Sequence, residues 1–262
     1  MPGFEEDRDY FDNQGQPTGT KAKKLKTVGE TTSQGLVSFA KVFLYMFIYL
    51  AITAGVAFLV GYFVSTSYNN AVAAGGDGDA VLRPYLGLLI GAAIAMFIMM
   101  LVVNFVVIRG KHSVLVPSII YSILVGLLFS ALTIFVDWRI MGLAFGITAG
   151  IFLLMSLIAI LTKGNMTPLA MLGLGLLLGG GMLALVNLFM RSSTIYWVVS
   201  FAIFAAIMLI TMFDIWNVKK ITENGSYDKN IAYYCAFTIY VDFINIFIRI
   251  LYYLIIIFGN KK

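Results

Sequence analysis

Seven stretches of this chain are each long and apolar enough to cross a bilayer, and that feature limits its fold more than any other. They run over residues 42–65, 85–108, 115–135, 140–161, 169–190, 195–218 and 231–258. A hydrocarbon core of about 30 Å takes roughly 20 residues of helix. Inside it, every backbone N–H and C=O must find its partner within the protein. The pattern therefore predicts an all-α membrane protein, a seven-helix bundle over residues 36–262 that meets the lipid bilayer on its outer faces. Only 12% of the residues are charged, against about 25% in soluble domains. The single cysteine, Cys235, excludes an internal disulfide and a cysteine-based metal cluster.

Residues 1–35 are polar, with an acidic block from Glu5 to Asp12 and a basic block from Lys21 to Lys26. This composition predicts a disordered tail with no cleavable signal before the first span. The net charge of +5 is informative through its placement, and it indicates topology rather than a nucleic-acid partner. Arg8, Lys21, Lys23, Lys24, Lys26, Arg109, Lys111, Lys163, Lys219, Lys220 and Lys229 fall on one side. Arg83, Arg139, Arg191, Lys261 and Lys262 fall on the other. That excess predicts a cytoplasmic N-terminus and an external C-terminus, in the cell membrane or an internal one. A re-entrant last segment is the alternative, since the two terminal lysines oppose this orientation.

Turn formers fill the linkers: Gly75-Gly76-Asp77-Gly78, Lys163-Gly164-Asn165 and Asn224-Gly225-Ser226. Gly142, Gly146 and Gly150 recur every four residues, and Gly173 to Gly181 crowd the fifth span. Close helix packing is the expected role of both sets, with a hinge at Gly179–Gly181 as the other reading.

Of the 13 acidic residues, Asp214 and Asp242 alone lie inside apolar runs, on consecutive helices. An unpaired charge there costs several kcal/mol, so such residues face a bundle interior and commonly serve a function. By helical rise, Asp214 lies about 6 Å and Asp242 about 13 Å inside the cytoplasmic ends of their spans, a mismatch that tilt can absorb. Asp242, Asn245 and Arg249 share one helix face. The remaining faces of that last helix are apolar, aromatic and bulky, which predicts a place at the bundle centre. Arg109, at the same edge as Asp214, can pair with a carboxylate or snorkel to the interface.

Four functions suit two intramembrane carboxylates to different degrees. An intramembrane aspartyl protease needs small residues beside its second aspartate to admit substrate, and Ile239-Tyr240-Val241-Asp242 is bulky. A seven-helix zinc hydrolase needs about three ligands, but His112 is the only histidine. A retinal protein needs a lysine within the last helix, which offers Arg249 instead. An ion path or proton-sensitive gate fits best. Two adjacent carboxylates resist joint ionisation and share a proton, and their hard oxygens suit Ca²⁺ held transiently. A purely structural role for each aspartate stands beside this reading.

Tyr240-Val241-Asp242-Phe243-Ile244-Asn245-Ile246-Phe247 and Thr211-Met212-Phe213-Asp214 resemble motifs of the transmembrane Bax inhibitor motif family. Ala144 to Gly150, Leu161-Thr162-Lys163 and Val186-Asn187-Leu188-Phe189 extend the likeness over roughly residues 85–258. The resemblance implies seven helices with the last one central, and a non-enzymatic, pH-sensitive calcium leak channel without a tightly bound cofactor. Asp214 and Asp242 would form its sensor and Arg109 its latch. It also implies possible partners among other membrane proteins, so a non-conducting modulator is the rival from another class. Two positions depart from the family: Phe213 replaces its usual tyrosine, and Val125 stands where many members have glutamate.

Overall fold

Polar turns of the sequence supply caps that start three of the helices. The computed structural model describes residues 19–109, 113–223 and 229–259, with side chains over 39–106, 113–223 and 229–258. Among these the chain forms α1 (Gly19–Ala73), α2 (Asp79–Arg109), α3 (Leu115–Phe135), α4 (Trp138–Leu161), α5 (Thr167–Met190), α6 (Ser193–Glu223) and α7 (Lys229–Gly259). Asp77 Oδ1 accepts the Asp79 N–H at 2.9 Å to start α2. Asp137 Oδ1 does the same for Arg139 in α4, also at 2.9 Å. Asn165 Oδ1 takes the Thr167 N–H at 3.0 Å before α5. Each side chain satisfies an amide that the helix itself leaves open. Gly75 turns the chain between α1 and α2 with φ of 74°, where a Cβ would be strained.

All seven helices are long and apolar enough to span a membrane. Large apolar side chains such as Phe97, Leu153 and Phe189 are exposed on their outer faces, where the bilayer is their solvent. α1 runs back to Gly19, so residues 19–35 continue the first helix where a disordered tail was expected. Lysines are good helix formers, and extending an existing helix avoids the cost of nucleation. Residues 1–18 lie outside the described residues.

α7 is central, as its composition predicts, and packs against α1, α2, α3, α4 and α6. Ala236, Ile239, Tyr240 and Ile246 along it are fully buried. α5 stands apart from α7 and packs on α6. Two of its glycines allow that approach: a Cβ on Gly173 would meet Ile210 Cγ1 at 3.0 Å, and one on Gly180 would meet Ile203 Cγ1 at 3.0 Å. Gly142, Gly146 and Gly150 are different. A Cβ on any of them meets nothing within 4 Å, so the close packing expected there is absent. Their period of four marks an open face of α4. A close approach of α3 to the backbone of α1 lies at Gly126, where a Cβ would sit 2.7 Å from Thr53 O and 2.8 Å from Val56 Cβ.

Candidate functional site: a carboxyl pair between α6 and α7

Alternating sides of α7 serve different neighbours. Tyr240 faces α1 and α3, with its phenol 2.6 Å from Thr53 Oγ1. Thr53 Oγ1 also lies 3.1 Å from Ser122 O and 3.0 Å from Tyr49 O, so this hydroxyl joins three helices at one buried point. Tyr121 and Tyr49 flank Tyr240 edge-on, with ring centroids at 6.3 and 5.8 Å. Sequence reading passed over Tyr49, Thr53, Ser118 and Ser122. The available signal was a set of hydroxyls inside apolar runs, with Ser118 and Ser122 four residues apart.

Two residues after this anchor, Asp242 projects toward α6. It is 8% exposed, and its Oδ2 is buried without an N–H or O–H partner among the described residues. Phe243 beside it is held edge-on against Phe152 of α4, ring centroids 5.5 Å apart. Asp214 on α6 is half-buried, and its carboxyl is the neighbour with which that of Asp242 interacts. Such a contact between carboxyl oxygens is attractive only if one of them carries a proton. Without it, two like charges face each other in a low-dielectric setting.

The far end of α6 is clamped to α4. Lys219 Nζ donates to Ile160 O at 2.6 Å, where α4 ends, and pairs with Glu223 at 3.8 Å. Lys220 lies over the Trp216 ring at 4.2 Å. These contacts occupy the basic residues that follow Asp214 on its own helix. Among the described residues neither aspartate forms an ion pair, and no third His, Cys, Asp or Glu joins them as a metal ligand. The pair offers four oxygens, short of the six to eight that Ca²⁺ takes.

The other candidates separate from the pair. Asn245 is exposed, although at three residues beyond Asp242 it keeps to nearly the same side of α7. Arg249 is half-buried and reaches Ser200 Oγ at 3.4 Å, about 10 Å further along α7. Sharing a face therefore does not place either residue in the carboxyl site. Arg109 ends α2, and its side chain lies outside the described residues, as does His112. α2 is tied to α7 nearby by Tyr234 Oη, which donates to Asn104 Oδ1 at 3.3 Å.

The chain is 29% identical over 186 residues to the inner membrane protein YbhL of Escherichia coli strain K12, covering 66% of this chain and 75% of that protein. An uncharacterised membrane protein of Streptococcus pyogenes serotype M1 is 29% identical over 163 residues, 62% of this chain and 71% of its own. An uncharacterised protein of Borreliella burgdorferi is 30% identical over 140 residues, 52% and 60% of the two chains. No solved structure matches. The family model described as inhibitor of apoptosis-promoting Bax1 matches residues 36–260, nearly all of the helical bundle and both aspartates, and the chain belongs to that family.

Proposed function

We propose that this protein is a passive, non-enzymatic Ca²⁺ leak whose opening is governed by the proton shared between Asp214 and Asp242. The observation that supports it is the carboxyl pair itself, two neighbouring acids that interact between two membrane-spanning helices. With one proton, the pair carries a single negative charge and holds α6 against α7. Removing that proton leaves two like charges as neighbours, and at a typical contact separation of about 4 Å such a pair repels by about 4 kcal/mol at an effective dielectric near 20. Moving a two-state equilibrium from mostly shut to mostly open takes about 5.5 kcal/mol, so this repulsion supplies most of what gating requires. The closed state gains its stability while the pair is protonated and loses it as pH rises through the titration of the pair. Ca²⁺ then passes along the freed carboxylates, completing its shell with water. Arg109, at the end of α2, is assigned the latch that neutralises the remaining charge. The N-terminus is placed on the cytoplasmic side.

The test is Ca²⁺ flux into liposomes holding only the purified full chain, over a series of pH values. Flux is expected to rise with pH. Asp214→Asn and Asp242→Asn should each flatten that dependence, and Arg109→Ala should raise the leak near neutral pH. Retention of the wild-type profile by both asparagine variants would make the aspartates structural. Silence of the purified protein would favour a modulator of partner channels, and cleavage of an added transmembrane peptide would favour a protease.

A further inference from the structure

At the opposite end of α6, where α5 turns into it, three helices frame a cleft of about 570 Å³. Asn187 and Arg191 line it from α5 and its C-cap, Tyr196 and Ser200 from α6, and Arg249 from α7. Its polar content is basic: two guanidinium groups, neither with a carboxylate partner among the described residues. A guanidinium carries five N–H donors in a planar fork. The described contact of Arg249 uses one of them, in a long 3.4 Å bond to Ser200 Oγ. That hydroxyl is itself shared with Tyr253 Oη at 3.0 Å. Arg249 therefore keeps most of its donors for something else.

Depth sharpens the point. Arg191 sits at the rim, closing α5 in the left-handed conformation with φ of 51°. Arg249 lies about 15 Å below the end of α7 by helical rise. An arginine at such depth needs an anion or a water-filled cavity to lower its cost. Among the described residues no acid lines the cleft, and Asp242 is seven residues, about 10 Å, further down the helix. The surroundings indicate where an anion would come from. Leu188 and Phe189 beside the cleft are 68% and 90% exposed, so the cleft is bordered by lipid-facing surface. Tyr196, Trp197, Tyr252 and Tyr253 cluster between Arg249 and the end of α7, Trp197 stacked on Tyr253 with centroids 6.3 Å apart. Such aromatic groups mark headgroup depth. A ligand entering between apolar faces to meet two arginines must be amphipathic, with an anionic head and apolar tails.

We propose that this cleft seats the phosphate of an anionic phospholipid, gripped from below by Arg249 and from the rim by Arg191. Arginine suits the role because its fork engages two phosphate oxygens at once, and basic pockets between membrane helices hold lipid headgroups in this way. The assignment is independent of the carboxyl pair and of any ion flux.

Native mass spectrometry of the purified full chain in detergent tests it, with phosphatidylglycerol, phosphatidylcholine or inorganic phosphate added. One phosphatidylglycerol should be retained in preference to phosphatidylcholine, and equimolar inorganic phosphate should not displace it. Arg249→Gln should weaken retention tenfold or more, with Arg249→Lys losing less. Arg191→Gln should weaken it severalfold. Arg139→Gln should leave it unchanged, because Arg139 is exposed outside the cleft and lies over Trp138. If Arg249→Gln does not fold, Arg191→Gln at the exposed turn carries the test against Arg139→Gln. Equal losses from those two would mean that general surface charge is responsible, and the assignment would fall. It would fall equally if phosphatidylcholine bound as well, if inorganic phosphate displaced the lipid, or if the arginine variants kept wild-type retention.

Discussion

Asp242 and Tyr240 show how two residues of one short motif divide the work of a central helix. The phenol of Tyr240 fixes α7 to α1 and α3 through Thr53, and the carboxyl of Asp242 faces α6 from the other side. If the carboxyl pair is the proposed sensor, anchoring and sensing are separable. Tyr240→Phe removes a buried hydrogen bond but keeps the ring, so it should cost about 1 kcal/mol. Thermal unfolding in detergent should show a modest drop in Tm, while the pH profile of Ca²⁺ flux keeps its shape. A variant with unchanged Tm, or with a flattened pH profile, would contradict this division. The sequence made Asp214 and Asp242 visible because a carboxylate in an apolar run stands out. It hid Thr53, Ser118 and Ser122, because a hydroxyl that hydrogen-bonds its own helix passes unnoticed in such a run.

At the level of helices, the same sequence shows why glycine patterns mislead. Gly142, Gly146 and Gly150 have the regular spacing of a packing motif and meet nothing. Gly126, alone in its span, lies against the backbone of α1. Spacing records which face a residue occupies, whereas packing depends on which helix the topology brings to that face. Gly126→Ala is expected to push α1 and α3 apart and cost about 1–3 kcal/mol. Gly146→Ala should be neutral or add up to about 1 kcal/mol through helix propensity. Comparing the two variants' Tm values in detergent checks this, and equal values would refute the α1–α3 crossing. The number of helices and the central place of α7 were legible for the opposite reason. Hydrocarbon thickness and backbone hydrogen bonding constrain every span alike, so length and apolarity suffice. The attachment of α5 to α6 was not legible, because no residue of α5 carries a charge that would name its neighbour.

For the whole molecule, seven helices that each cross the membrane put successive turns on alternate faces. Cys235 is buried, so the parent chain should react poorly with aqueous thiol reagents. Gly76→Cys, in the turn before α2, and Gly164→Cys, in the turn before α5, are expected to be labelled from opposite sides. Labelling of both from one side would overturn the seven-span arrangement. The burial of Asp242, about 20 Å along α7 from Lys229, carries a consequence for electrical behaviour. A proton that reaches it crosses part of the transmembrane field, and a full crossing is worth about 2.3 kcal/mol per 100 mV. A third to a half of that drop would shift the pH of half-maximal flux by roughly half a pH unit or more per 100 mV, at about 1.4 kcal/mol per unit. Flux in liposomes clamped at different potassium diffusion potentials would show the shift. Its sign would tell from which face the proton arrives, so a pair with no gating charge of its own would make the proposed leak respond to membrane potential.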